Sequence, residues 1–269
     1  MPELPEVEVT LRGIAPSITG KVITGVAVRE PRLRWPISAA VASLAGQRVL
    51  SVRRRAKYLL FDCEKGQLIV HLGMSGSLRL LPADTPAGRH DHVDVRFSTF
   101  VLRLRDPRRF GAVLWTGKEE ASHPLLAHLG IEPLSRDLTG PRLRSLAADH
   151  RISIKQFLMD GRRIAGIGNI YANESLFRAG IRPLTRADRI SPARCDRLAL
   201  AIKKTLHAAI RAGGSTLRDF VGSDGNPGYF QQTYSVYDRA DQRCRVCAAP
   251  IKRLVQGQRA TFYCPRCQR

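Results

Sequence analysis

Cys244-Arg-Val-Cys247-Ala-Ala-Pro-Ile-Lys-Arg-Leu-Val-Gln-Gly-Gln-Arg-Ala-Thr-Phe-Tyr-Cys264-Pro-Arg-Cys267 sets two CxxC pairs sixteen residues apart. Two tight knuckles, each carrying two thiolates, close a tetrahedral four-sulfur site when a β-hairpin brings them together, and Ile251 to Tyr263 has the length of such a hairpin. The spacing predicts a zinc site with Cys244, Cys247, Cys264 and Cys267 as ligands. A pair of disulfides is the competing reading, but the acidic N-terminus does not read as a secretory signal and two-residue knuckles suit metal geometry better. A closed four-cysteine site leaves no position for water, so its one zinc ion supports folding rather than chemistry. Cys63, in a strand-like run, and Cys195, near a helix start, have no partner at ligand spacing and read as packed residues.

Around this hairpin the charge is one-sided. Residues 229–269 hold eight Lys and Arg against two Asp and Glu, so the zinc segment is built to face phosphate, with Arg253 and Arg259 presented from the hairpin and Arg253 reading as a general phosphate clamp. The whole chain repeats the bias: 44 Lys and Arg against 23 Asp and Glu in 269 residues give a net charge of +21. Such a charge selects a polyanion, nucleic acid first and an anionic membrane surface second. No apolar run approaches the roughly 18 residues of a spanning helix, which reads as a soluble intracellular protein with no membrane partner. At 43% hydrophobic content the chain has apolar sequence for two or three compact cores.

Moving toward the N-terminus, the hydrophobic period is helical. Leu143 to Ala148, Ile154 to Met159 and Gly168 to Ala179 read as helices. The strongest runs from an N-capping Ser191 and Pro192, through Leu198, Ile202, Leu206 and Ile210, to a stop at Gly213-Gly214. Gly166-Ile-Gly-Asn169 offers backbone amides to a phosphate at a helix start. Before a turn-rich connection from Gly130 to Pro141, the period is two: Val22–Val28, Gln47–Arg53, Tyr58–Asp62, Gln67–Leu72, Ser77–Leu81, His92–Phe97, Phe100–Arg105 and Ala112–Thr116 read as short strands of a sandwich or barrel. Pro5 to Ala15 returns to helical spacing through Val7, Leu11 and Ile14, with Glu6 and Glu8 in its first turn.

That leaves Met1-Pro2-Glu3-Leu4-Pro5-Glu6 at a helix entrance. Removal of the initiator methionine exposes a secondary α-amine, with a pKa near ~8, beside a carboxyl group. Such an amine can attack an electrophilic sugar carbon, and because it is secondary the adduct is a cationic iminium, an electron sink for elimination. The plain alternative is that Pro2 and Pro5 stiffen the chain before a helix.

Taken together, the motifs resemble the bacterial formamidopyrimidine-DNA glycosylase family over essentially the whole chain: Pro2-Glu-Leu-Pro-Glu-Val, Arg54-Arg-Ala-Lys57-Tyr, His71-Leu-Gly-Met-Ser-Gly76, Asp106-Pro-Arg-Arg-Phe-Gly111, Gly166-Ile-Gly-Asn-Ile-Tyr-Ala-Asn-Glu-Ser175, Ser223-Asp-Gly-Asn-Pro-Gly-Tyr-Phe230 and Gln258-Arg-Ala-Thr-Phe-Tyr-Cys264. The resemblance implies an α+β multidomain protein: an N-terminal β-sandwich with its leading helix (1–130), a helical domain with a helix–two-turn–helix element (131–228), and a C-terminal β-hairpin zinc finger (229–269), with DNA crossing between the two halves. It implies base-excision repair by a bifunctional glycosylase and lyase acting on oxidised purines, such as 8-oxoguanine opposite cytosine and ring-opened purines, in double-stranded DNA. Pro2 would attack C1′, Glu3 would protonate the opening sugar, Lys57 would assist proton transfer, and Arg259 would hold phosphate and serve the later elimination. Met74, Arg108 and Phe110 match residues that fill the void left by an extruded base; Phe and Met replace stacking and Arg offers a planar fork to the orphaned cytosine. His71, His90, Lys155 and Asn169 match phosphate contacts, Glu174 matches a supporting carboxylate, and 224–230 match a lesion-covering loop.

Two departures from the family pattern stand out. The connection at Ser98-Thr99 is one residue short, and a basic phosphate contact before Ile152 falls on either His150 or Arg151. The related endonuclease VIII type, acting on oxidised pyrimidines, shares the Pro-Glu start but differs at the third motif residue and lacks the void-filling trio, so Leu4, Met74 and Phe110 argue against it. A non-catalytic zinc-ribbon reader of distorted DNA would have no need of Pro2, Glu3 and Lys57 together. The expectation is a monomer in the bacterial cytoplasm, associated with the nucleoid.

Overall fold

A computed structural model describes residues 2–116, 123–215 and 229–269. Part of the Ser223–Phe230 motif, residues 223–228, and Met1 lie outside the described residues. The chain divides into two compact units, residues 1–127 with 212–231 and residues 128–211 with 232–269. None of the described helices is long and apolar enough to cross a membrane.

In the first unit helix α1 (Leu4–Ile18) precedes eight strands: β1 (Gly25–Val28), β2 (Val49–Arg55), β3 (Tyr58–Cys63), β4 (Gly66–His71), β5 (Ser77–Pro82), β6 (Asp91–Arg96), β7 (Phe100–Arg105) and β8 (Ala112–Thr116). They form two four-stranded antiparallel sheets, ordered β1-β6-β7-β5 and β2-β3-β4-β8. One core joins them: Val93, Val95, Leu102 and Leu104 from the first sheet meet Leu59, Phe61, Leu68 and Val70 from the second, with Val7, Ile14 and Ile18 of α1 packed in. This is the expected sandwich, each sheet turning alternate residues inward. Inside the first sheet, Asp94 and Arg103 face each other in register and are joined at 2.7 Å. Burial raises the Asp94 pKa, but hydrogen bonds from Arg103 and Arg29 outweigh it and hold the carboxyl below its usual range.

The second unit holds α3 (Gly140–Ala147), α4 (Ile154–Met159), α5 (Asn169–Ala179), α6 (Pro192–Arg211), and the hairpin β9 (Lys252–Gln256) with β10 (Arg259–Tyr263); a short α2 (Pro124–Ala127) ends the first unit. Thr139 caps α3 through Arg142 N–H at 3.2 Å, and Gly180 closes α5 in the left-handed region at φ +68°. α6 ends before Gly213 and Gly214, both at positive φ, as its sequence predicts. A small separate core of Val236, Cys244, Ile251, Phe262 and Cys264 lies under the hairpin. The fold is thus β-sandwich, helical region and zinc-finger hairpin.

Candidate active site and nucleic-acid interface

The N-terminal segment is held by a carboxylate that is not itself one of the predicted catalytic residues. Pro2 and Glu3 are buried, and Glu3 is the N-cap residue of α1. Glu6, 1% exposed, accepts the Glu3 N–H on Oε2 and the Ser215 N–H on Oε1, both at 2.8 Å. One buried side chain thereby fixes the backbone of the helix entrance and docks residues 214–215 against it. Gly214 has φ +80°, where a side chain would be strained, and a Cβ there would crowd Glu6 Oε1 at 3.1 Å, so the position favours glycine. Two residues further on, Glu8 accepts from Arg54 Nε at 2.9 Å, and Arg54 also donates to Ala56 O at 2.9 Å. Ala56, at φ +53°, and Lys57 form the two-residue turn between β2 and β3, so the Lys57 turn is tied to α1.

His71 ends β4 opposite Tyr58, whose ring lies 4.8 Å from its own. Its Nδ1 accepts the Gly73 N–H at 3.0 Å, which leaves the proton of the neutral ring on Nε2 as a donor. Burial, then the charges of Lys57 and Arg34, push its pKa down to about 4.

Beyond His71 two loops share one scaffold. Asp106, fully buried, accepts Ser75 Oγ–H on Oδ1 and Gly111 N–H on Oδ2, each at 2.8 Å. Its backbone oxygen meets His92 Nε2 at 2.8 Å and its own N–H donates to His90 O at 3.0 Å. Gly73, φ +63°, lies so close that a Cβ would be 2.4 Å from the Phe110 carbonyl carbon. Met74, Arg108 and Phe110 are consequently displayed side by side on adjoining tips: Met74 is 37% and Phe110 41% exposed, and the Arg108 guanidinium sits 4.8 Å over the Phe110 ring. His90 is half-buried beside them, its ring 6.4 Å from His92.

In the second unit α5 and the zinc hairpin are stitched together. Asn169 Nδ2 donates to Ala260 O at 3.0 Å, and Asn173 Oδ1 accepts Phe262 N–H at 2.8 Å. Arg259 is exposed at the start of β10, just after the Gly257-Gln258 turn. Lys155 is one of the residues whose motif implies a phosphate contact. It is fully buried, and its ammonium donates to Ala260 O at 2.9 Å and Thr261 Oγ1 at 2.7 Å, bracing the strand that carries Arg259. Glu174 is also buried and accepts the N–H groups of Ser235, Val236 and Tyr237, each at 2.9 Å. His150 packs its ring 5.6 Å from Phe157, whereas Arg151 is exposed.

Sγ atoms of Cys244, Cys247, Cys264 and Cys267 all lie within 4.8 Å of one another. Cys244 and Cys267 are 3.9 Å apart and Cys247 and Cys264 3.4 Å, far beyond a disulfide and close to the ~3.8 Å edge of a tetrahedron with Zn–S bonds of about 2.3 Å. Val246 and Cys267 N–H groups donate to the sulfurs of Cys244 and Cys264 at 3.4 Å, the support thiolates need in a metal knuckle. These donors fit one structural zinc ion. Cys63 and Cys195 are buried and apart from the cluster. Sequence reasoning passed over Asp106, Ser75, Asn173 and the clamping role of Glu6; each acts on backbone groups distant in sequence, which no local pattern reveals.

Comparison with known proteins bears on the same segments. Residues 1–113 match the formamidopyrimidine-DNA glycosylase N-terminal domain, residues 129–221 the formamidopyrimidine-DNA glycosylase H2TH domain, and residues 241–269 a zinc finger found in FPG and IleRS. The formamidopyrimidine-DNA glycosylase of Aromatoleum aromaticum is 60% identical, and that of Paraburkholderia phymatum 57%, each across 100% of both chains. Among solved structures, MutM (Fpg) from Thermus thermophilus aligns with TM-score 0.89 at 38% identity, covering 99% of this chain and 98% of that one. A Lactococcus lactis Fpg variant bound to Fapy-dG containing DNA aligns at TM-score 0.92 and 30% identity over 100% of both chains. The wild-type L. lactis protein has also been seen with DNA containing an oxidised pyrimidine, at TM-score 0.91 and 30% identity over 100% of both chains.

Proposed function

Because the chain belongs to the formamidopyrimidine-DNA glycosylase family of base-excision repair enzymes, we propose that it is a bifunctional glycosylase and lyase that excises oxidised purines through Pro2. The observation that carries this reading is the buried Pro2-Glu3 terminus, held at a helix entrance by the two hydrogen bonds of Glu6. A nucleophile fixed in this way loses little further freedom when it attacks. After loss of Met1, the Pro2 nitrogen bonds to C1′ of the damaged nucleotide as the bond to the base breaks and the base leaves with a proton. Glu3 protonates the ring oxygen, the sugar opens, and the adduct becomes an iminium. Removal of a C2′ proton, assisted by Lys57, expels the 3′ phosphate; a second elimination, served by Arg259, expels the 5′ phosphate, and water releases the enzyme.

Met74, Arg108 and Phe110 fill the gap in the duplex, with Arg108 meeting the orphaned cytosine. His71, His90, Asn169, Arg259 and Arg151, the more exposed of its pair, hold phosphates, while Lys155 and Glu174 brace the elements that carry them. In this reading residues 1–130 supply the chemistry, and 131–228 and 229–269 the grip, in a monomer acting on the chromosome in the bacterial cytoplasm.

The test is to add borohydride to the protein and a duplex with one 8-oxoguanine opposite cytosine, then sequence the cross-linked peptide. Reduced adduct on Pro2, absent from Pro2→Gly, is expected. Excision of thymine glycol in preference to 8-oxoguanine would favour the endonuclease VIII reading. Lesion binding without any adduct, in protein confirmed to lack Met1 and hold zinc, would favour a non-catalytic reader.

A further inference from the structure

Many arginines of the first unit are paired: Arg12 meets Glu8, Arg32 and Arg109 share Glu30, and Arg53 meets Asp62. Arg34, like Arg48, Arg89, Arg96 and Arg108, has an exposed side chain and no carboxylate partner among the described residues. Its backbone is nevertheless fixed, since its N–H donates to Arg109 O at 2.9 Å, one residue from both Arg108 and Phe110. Its charge reaches inward as well, acting on the Tyr58 hydroxyl and, together with Lys57, on the His71 ring. Tyr58, next to Lys57, packs its ring on His71, His71 holds Gly73, and Gly73 lies against the Phe110 backbone beside the Arg109 carbonyl that pins Arg34, so Arg34, Lys57 and the Nε2–H of His71 lie along one edge of the sandwich.

We propose that Arg34 is a further phosphate-binding residue of this site, forming with Lys57 and His71 a seat for one DNA phosphate beside the void-filling tips; the proposal rests on the glycosylase reading above. An exposed guanidinium suits a phosphate better than a solvated ammonium does, and such a contact is blind to sequence and to lesion. Arg34 therefore adds grip on the damaged strand, not selectivity for the base.

The experiment is a salt titration of binding to abasic-analogue and undamaged duplexes by the wild type, Arg34→Ala, Arg34→Lys and the control Arg12→Ala. Arg34→Ala should reduce the slope of log K against log salt by about 0.9 and weaken both duplexes by a similar factor, roughly 5-fold at 0.1 M salt. Arg34→Lys should restore the slope, and Arg12→Ala should match the wild type. An NMR titration of His71 in the same proteins reports whether Arg34 sits where described: its pKa should rise in Arg34→Ala. A slope unchanged in Arg34→Ala, or lowered equally in Arg12→Ala, overturns the proposal while leaving the glycosylase reading intact. Failure of the wild type to bind or to form the Pro2 adduct would instead remove the reading on which the proposal rests.

Discussion

His71 shows how a single side chain is given its task by its surroundings. Its Nδ1 is occupied by the Gly73 N–H and its pKa is pushed down to about 4, first by burial and then by Lys57 and Arg34. Held neutral in this way, the ring has only its Nε2–H left to donate. The unfolded ring titrates near ~6.5, so its folded pKa is depressed and unfolding takes up a proton below that value. The associated stability is fully present above about pH 6.5 and is lost as pH falls toward 4, at about 2 kcal/mol by pH 5. Urea unfolding at pH 8 and pH 5 should therefore show a loss in the wild type exceeding that in His71→Gln by about this amount. An equal loss in the two proteins would mean that the ring is not held neutral.

Among the elements, the pair of loops at 72–76 and 106–111 depends on Asp106, which joins Ser75 to Gly111 and anchors both tips. Asp106→Ala leaves a buried hydroxyl and a buried N–H without their acceptor, at a cost of about 2–4 kcal/mol. Thermal melting should register that loss, and a 2-aminopurine opposite an abasic analogue should report poorer filling of the void; unchanged melting and unchanged fluorescence together would show that the tips stand without it. Asp106 stood inside a quoted motif, yet its sequence neighbours suggested only a turn. What was legible had a period: the eight strands came from alternation, the long helix from Ser191, Pro192 and Gly213-Gly214, and the zinc ligands from spacing. What was not legible depends on contacts between distant residues. The Ala39–Leu44 3-10 turn has no such period, and the burial of Lys155 follows from β10 lying over it, a placement more than one hundred residues away in sequence. The alternation predicts strand from Val22, but Val22 bridges Arg48, Ile23 N–H donates to Gln47 O and Thr24 N–H donates to Arg96 O, so these residues cross from one sheet to the other and β1 starts at Gly25.

Across the molecule, the sandwich and the zinc hairpin are stabilised by different means. The sandwich has a continuous core drawn from two sheets and α1. The cluster at the hairpin has only five buried residues, two of which are the zinc cysteines Cys244 and Cys264. So small a core does not hold a 13-residue hairpin segment without metal; structural zinc contributes about 10–16 kcal/mol in isolated fingers. The bonds from Lys155, Asn169 and Asn173 to residues 260–262 cannot substitute for it, because they fix β10 only while β9 and the knuckles hold the hairpin closed. Stripping zinc with a chelator should therefore release the amides of Lys252–Tyr263 to hydrogen exchange while the β3, β4 and β7 amides of the sandwich stay protected. Arg259 loses its fixed position in the same step, so lesion binding should fall with zinc content and return when zinc is restored. Retained protection of the hairpin in metal-free protein would show that α4 and α5 hold it without metal, and zinc would then serve some purpose other than folding.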